Sequence, residues 1–182
     1  MKSVVLAETA LVMIDMQQKL LPAMTNGDKA AERLTMLLRG TRELGIPALV
    51  TEQYPKGLGP TVPELAAELP EGTVIAAKTG FSVFREPAFV TALKSQRRST
   101  LIFAGIEAHV CLFQSVCHAL EQGYQVLVAA DAVASRKASD AALALEQMRQ
   151  MGAVVMSAEA ILFLLMEDAK NPHFKAISAL VR

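Results

Sequence analysis

The run STLIFAGIEAHVCLFQSVCHALEQG, residues 99–123, decides how the whole chain is read. Its opening, STLIFAG, is a short apolar run that predicts a strand buried on both faces. VCLFQSVCHALEQG follows with helical spacing and a glycine stop. Between them lies GIEAHVC, which puts Cys111 in the first turn of the predicted helix, behind Glu107 and His109. A cysteine there is either a small core hydrophobe or a nucleophile. The surrounding chain has to discriminate.

Outward from this unit, strand and helix patterns alternate. An apolar run over 9–16 stops at Asp15, and apolar positions at Leu34, Leu37, Leu38 and Leu44 predict a helix over 26–45. Asn26 or Asp28 is its expected cap and Gly45 its stop. IPALVTEQ is a second strand, YPKGLGPTVP (54–63) a Pro/Gly-rich loop, and 63–69 a short helix. A third strand over 72–80 carries Lys78, and a helix over 86–96 leads back to the opening unit. YQVLVAADAVAS is a fifth strand and a loop, followed by a helix with Ser139 as cap and a short strand, AVVMS. Two terminal helices complete the pattern, the last capped by Asn171 with proline after it. Repeated β–α units with apolar strands imply a parallel sheet between two helical layers. The expectation is a three-layer α/β/α fold with a six-stranded, mostly parallel sheet, one domain over 1–182.

Composition narrows the partners. Hydrophobic residues make up 52% of the 182, which argues against disorder. No apolar run approaches the ~20 residues of a membrane helix. Lys+Arg and Asp+Glu are both 18, so no whole-molecule field draws nucleic acid or anionic lipid. The KSQRRS cluster (94–99) reads as a solvated helix end. MKSVVLAETALVMID lacks a convincing signal-peptide core, so it reads as mature sequence and a cytoplasmic location is expected. Two cysteines imply no disulfide framework, and Cys111 and Cys117 fall roughly 240° apart around one helix. G-x-G-x-x-G and G-x-x-x-x-G-K-[ST] are both absent, which counts against a nucleotide-binding doubly wound domain.

Three chemically useful residues fall at carboxyl ends of strands, where open parallel sheets bind ligands. Asp15 ends the first strand, Lys78 the third, and Cys111 follows the fourth. Each has a plain alternative: a helix cap, a solvated lysine, a core cysteine. Together their chemistry fits. An ammonium and a helix N-terminus favour a thiolate, and a carboxylate can take the thiol proton.

LVMIDMQ (11–17), AAKTGFS (76–82) and GIEAHVC (105–111), in that order, resemble the isochorismatase-like cysteine hydrolases. The resemblance covers about residues 8–170, and TEQYPKGLGPTVPEL (51–65) is most similar to the isochorismatase-domain-containing branch. It implies a triad of Asp15 as base, Lys78 as charge stabiliser and Cys111 as nucleophile, acting through a covalent intermediate. It also implies a cis peptide between Ile106 and Glu107, with the backbone N–H groups of Glu107 and Cys111 as an oxyanion hole. Gln17 matches the family's glutamine two residues after the Asp, and a structural role beside the site is expected for it. Tyr54, Phe81, Phe84 and His109 are candidate pocket residues. For the Phe pair core packing is an equal account, and for His109 a local turn bond is the simpler one.

Departures from the pattern narrow the chemistry. The nicotinamidase branch binds a metal through histidines between the Asp and Lys motifs; here His109, His118 and His173 all lie beyond Lys78, so no metal and no cofactor is expected. Family members that cleave isochorismate do not use the cysteine, so Cys111 points to hydrolysis of an amide or carbamoyl-type C–N bond in a small molecule. The resemblance also favours a homo-oligomer. The competing reading is a catalytically idle α/β module that associates through segments such as ILFLLM (161–166).

Overall fold

The computed structural model describes residues 3–182. In chain order the elements are β1 (Thr9–Ile14), α1 (Gly27–Glu43), β2 (Ala48–Gln53), α2 (Pro55–Leu58), α3 (Pro63–Ala66), β3 (Ile75–Lys78), α4 (Pro87–Gln96), β4 (Thr100–Ile106), α5 (Phe113–Glu121), β5 (Gln125–Ala134), α6 (Ala138–Gln150), β6 (Val154–Met156), α7 (Ala158–Met166) and α8 (Phe174–Leu180). A π turn, Ala108–Leu112, stands between β4 and α5.

The six strands form one sheet in the order β3-β2-β1-β4-β5-β6, and every pairing is parallel. β1 and β4 lie at its centre and are buried along their whole length. Their alternate residues feed two cores, as the period of two demands. Leu11, Met13, Ile102, Ala104 and Ile106 face a core shared with α1 and α7. Ala10, Val12, Ile14, Leu101 and Phe103 face the other, shared with Phe89 and Leu93 of α4, Val116 of α5 and Met148 of α6. ILFLLM belongs to the first core: Ile161, Leu162, Leu165 and Met166 are buried, and Phe163 packs edge-on against Phe174. Most of that segment is therefore used inside the fold.

Chain order runs outward from β1 to β3 on one side and from β4 to β6 on the other. The switch lies between β1 and β4, where such sheets open a crevice beyond their carboxyl ends. There the two strands approach closely. Gly105 has φ +119°, and a Cβ on it would meet Ile14 O at 2.1 Å. Glycine supplies both the conformation and the space.

Asn26 takes the expected α1 N-cap position, with φ 58° and no side-chain cap bond. Other local expectations are corrected. Ser139 lies inside the first turn of α6, which Lys137 precedes. Asn171 accepts from His173 N at 3.0 Å, one turn before α8 starts. β5 continues through Ala134, because after a register shift Val133 and Ala134 still pair with Gly105 and Ile106.

Candidate active site

Asp15 follows β1 in the left-handed region, φ 54°. Its side chain is fully buried. Thr51 on neighbouring β2 donates to Asp15 Oδ1 at 2.8 Å. Lys78, the last residue of β3, reaches across β2, and its Nζ lies 2.6 Å from Asp15 Oδ2. The ammonium is also 2.6 Å from Gln53 Oε1 and 3.4 Å from Gly80 O. Taking such a pair from water is costly, and these extra oxygens are what a buried ammonium requires.

Cys111 lies in the π turn and is 5% exposed. Its Sγ is 3.9 Å from Gln53 Oε1. Burial pushes its thiol pKa up to about 12, the Asp15 charge adds to this, and Lys78 opposes it. Burial thus works against the ammonium and the helix end, which favour the thiolate. The peptide bond before Glu107 is cis. Glu107 O accepts from Val110 N at 3.1 Å and Leu112 N at 3.2 Å. Cys111 O accepts from Ser115 Oγ at 2.6 Å, and that hydroxyl accepts from Val83 N at 3.0 Å. Cys117 is a separate free thiol.

The remaining candidates divide. Gln17 Oε1 accepts from Gln53 N at 2.8 Å, while its Nε2 donates to Gln53 O and Gly59 O at 3.0 and 2.6 Å. It thus ties the 54–63 loop to β2. Thr61 adds another tie through Glu52 Oε1 at 2.7 Å. Tyr54 is 55% exposed and Phe81 51%. Tyr54 lines a shallow recess of about 320 Å³ with Lys56, Lys78 and Glu86. For Phe84 the ring contacts are those of the core-packing account. It packs on Phe89 and Tyr124, and Tyr124 precedes β5, at the sheet end away from Cys111. His109 Nδ1 lies 2.9 Å from Ser135 Oγ, 26 residues on and just past β5, so its partner is a tertiary one and not the local turn bond expected. The Glu107 carboxylate accepts from Arg136 Nε at 3.0 Å, joining the ends of β4 and β5.

Sequence reasoning missed Thr51, Gln53 and Ser115. The first two sit two apart at the end of β2, so they share a face, and that face meets Asp15 and Lys78. This period was visible in TEQ, but at a strand end it reads equally as entry into a loop. Among the described residues no group of three or more His, Cys, Asp or Glu side chains is arranged to hold a metal ion. No helix among them is long and apolar enough to cross a membrane.

The all-parallel sheet, with helices on both faces, has the isochorismatase-like hydrolase fold. The sequence profile of the Isochorismatase domain matches residues 9–160, and the chain belongs to that family. It is 41% identical to isochorismatase domain-containing protein 2 of Danio rerio over 174 residues, covering 95% of this chain and 86% of that one. It superposes with TM-score 0.92 on the MAR1 ribonuclease structure of Caenorhabditis elegans, at 38% identity, covering 98% of this chain and 91% of that one. It is similar also to the Escherichia coli YcaC gene product, described as an octameric hydrolase of unknown specificity: TM-score 0.92, 26% identity, 99% and 89% covered.

Proposed function

We propose that the chain is a cofactor-free cysteine hydrolase acting on an amide or carbamoyl-type C–N bond of a small molecule. The observation that carries this reading is the buried Asp15–Lys78 pair, 2.6 Å apart, beside the Cys111 thiol. Asp15 takes the thiol proton as sulfur adds to the carbonyl carbon. Proton and electron pair move together, which suits a nucleophile that rests protonated. The oxyanion is met by the N–H groups of Glu107 and Cys111, with Lys78 balancing the developing charge. The C–N bond breaks as Asp15 returns the proton to nitrogen, leaving an S-acyl enzyme. Water then adds, its proton goes to Asp15, and the acid leaves with the thiol restored. Tyr54, Phe81 and His109 remain the proposed pocket residues, while Gln17 bonds Gly59 of the loop that follows Tyr54.

The test is hydrolysis of a panel of small amides and ureido compounds, with intact-mass detection of the acylated protein. Activity should be absent in Cys111→Ala. Full activity in that variant removes the reading and favours the alternative, an idle module for protein association. The C. elegans neighbour is named a ribonuclease, so an RNA substrate belongs in the panel; this chain's balanced charge of 18 against 18 supplies no general attraction for it. We also propose self-association, as in the octameric E. coli neighbour. Light scattering checks it.

A further inference from the structure

Gln53 closes β2 and stands between the ammonium and the thiol. Its Oε1 is 2.6 Å from Lys78 Nζ and 3.9 Å from Cys111 Sγ. Its Nε2 donates to Thr79 O at 2.8 Å. These partners fix which way the amide faces. Reversed, it would set its NH₂ against an ammonium and its oxygen against a carbonyl. The backbone is held as well, since Gln17 bonds both Gln53 N and Gln53 O at 2.8 and 3.0 Å. A carbonyl oxygen is thus held in place between a cation and a sulfur.

An ammonium has three N–H groups. Asp15 and Gln53 each engage Lys78 at 2.6 Å, and Gly80 O stands at 3.4 Å. Lys78 also acts on Cys111, by charge and by a side-chain hydrogen bond, so Gln53 and the sulfur share what Asp15 leaves. The lone pairs of the Gln53 oxygen suit an S–H donor and repel a thiolate. Charged groups on the other elements around Cys111 are already matched: Glu107 by Arg136 at 3.0 Å, while His109 turns to Ser135 at 2.9 Å.

We infer that Gln53 is a positioning residue that keeps the nucleophile in its thiol form while the site is empty, by occupying a Lys78 N–H and presenting its carbonyl oxygen to the sulfur. The inference rests on the reading of Cys111 as nucleophile. Proton transfer to Asp15 then begins only when something else takes over the Lys78 contact.

The experiment measures iodoacetamide alkylation of Cys111 by peptide mapping from pH 6 to 10, in the full chain. Cys117 on the same molecules is the internal standard. Gln53→Met keeps length and removes the acceptor. It should raise the Cys111 rate about tenfold at pH 8, one unit of the thiol's titration, and move the profile to lower pH. Gln53→Glu adds a fixed anion and should move the profile the other way. Cys117 should not change in either. Should Gln53→Met fail to fold, Gln53→Asn withdraws the same amide by one methylene and carries the same expectation. Lys78→Met should slow Cys111. If it does so while the Gln53 variants leave Cys111 unchanged, or shift it in one common direction, the inference about Gln53 is overturned and the catalytic reading stands. If Lys78→Met has no effect on Cys111, the catalytic reading falls with it.

Discussion

Lys78 Nζ lies 2.6 Å from Asp15 Oδ2 with both side chains wholly buried, although 63 residues separate them in sequence. The contact spans three strands, since β2 stands between β1 and β3. Lys78→Met should therefore cost about 3–5 kcal/mol, because it strands a buried carboxylate. The double variant Asp15→Asn/Lys78→Met should cost less than the two single costs together. Urea unfolding of the four proteins checks this; strict additivity would show that the two charges do not depend on each other.

Thr51 supplies the other bond to the same carboxylate, 2.8 Å to Oδ1. Thr51→Val keeps the shape and removes the donor. A loss of about 1.5–3 kcal/mol is expected for a hydrogen bond to a charged group. The comparison variant Thr35→Val, whose hydroxyl bonds only Ala31 O within α1, should lose far less. Equal losses would remove the special role given to Thr51.

The thiol of Cys111 is held up to about 12 by burial and by Asp15. A raised thiol pKa means the neutral form persists as pH rises past ~8.5, the value of a free thiol. The alkylation rate at Cys111 in the wild-type protein should accordingly climb through pH 10 without a plateau. A plateau below pH 8 would show an activated resting thiolate.

Gly105 leaves a Cβ no room, with Ile14 O at 2.1 Å and φ at +119°. Gly105→Ala should cost about 3 kcal/mol or more, as strain and overlap combine. Gly123→Ala is the control: its φ is +83° and no atom lies within 4 Å, so it should carry the backbone cost alone. Thermal unfolding of the pair separates the two contributions.

Ser115 clamps the carbonyl of Cys111 at 2.6 Å and receives Val83 N at 3.0 Å. Ser115→Ala should lower turnover on any substrate found for the proposed hydrolase by about tenfold, with KM little changed, because a displaced nucleophile loses alignment rather than binding. A rise in KM at constant turnover would place Ser115 in substrate binding instead.

Much of this protein was legible along the chain. Apolar runs of strand length alternating with helical spacing determined the layered parallel fold, because burying a strand on both faces leaves no polar side to its sequence. Asp15 and Lys78 were visible as polar residues ending apolar runs, and Cys111 as a thiol where a helix was expected to begin. Three-dimensional packing decided the rest. Thr51 and Gln53 acquire their partners only because β2 lies between β1 and β3, an order that local pattern does not encode. Phe84 turned to Phe89 and Tyr124 for the same reason: an aromatic next to a site motif follows the apolar surface its neighbours offer. The state of the sulfur was likewise a tertiary outcome. Sequence shows an acid, an ammonium and a thiol, but desolvation depends on how much water the fold removes around them, and here that outweighs the nearby charge.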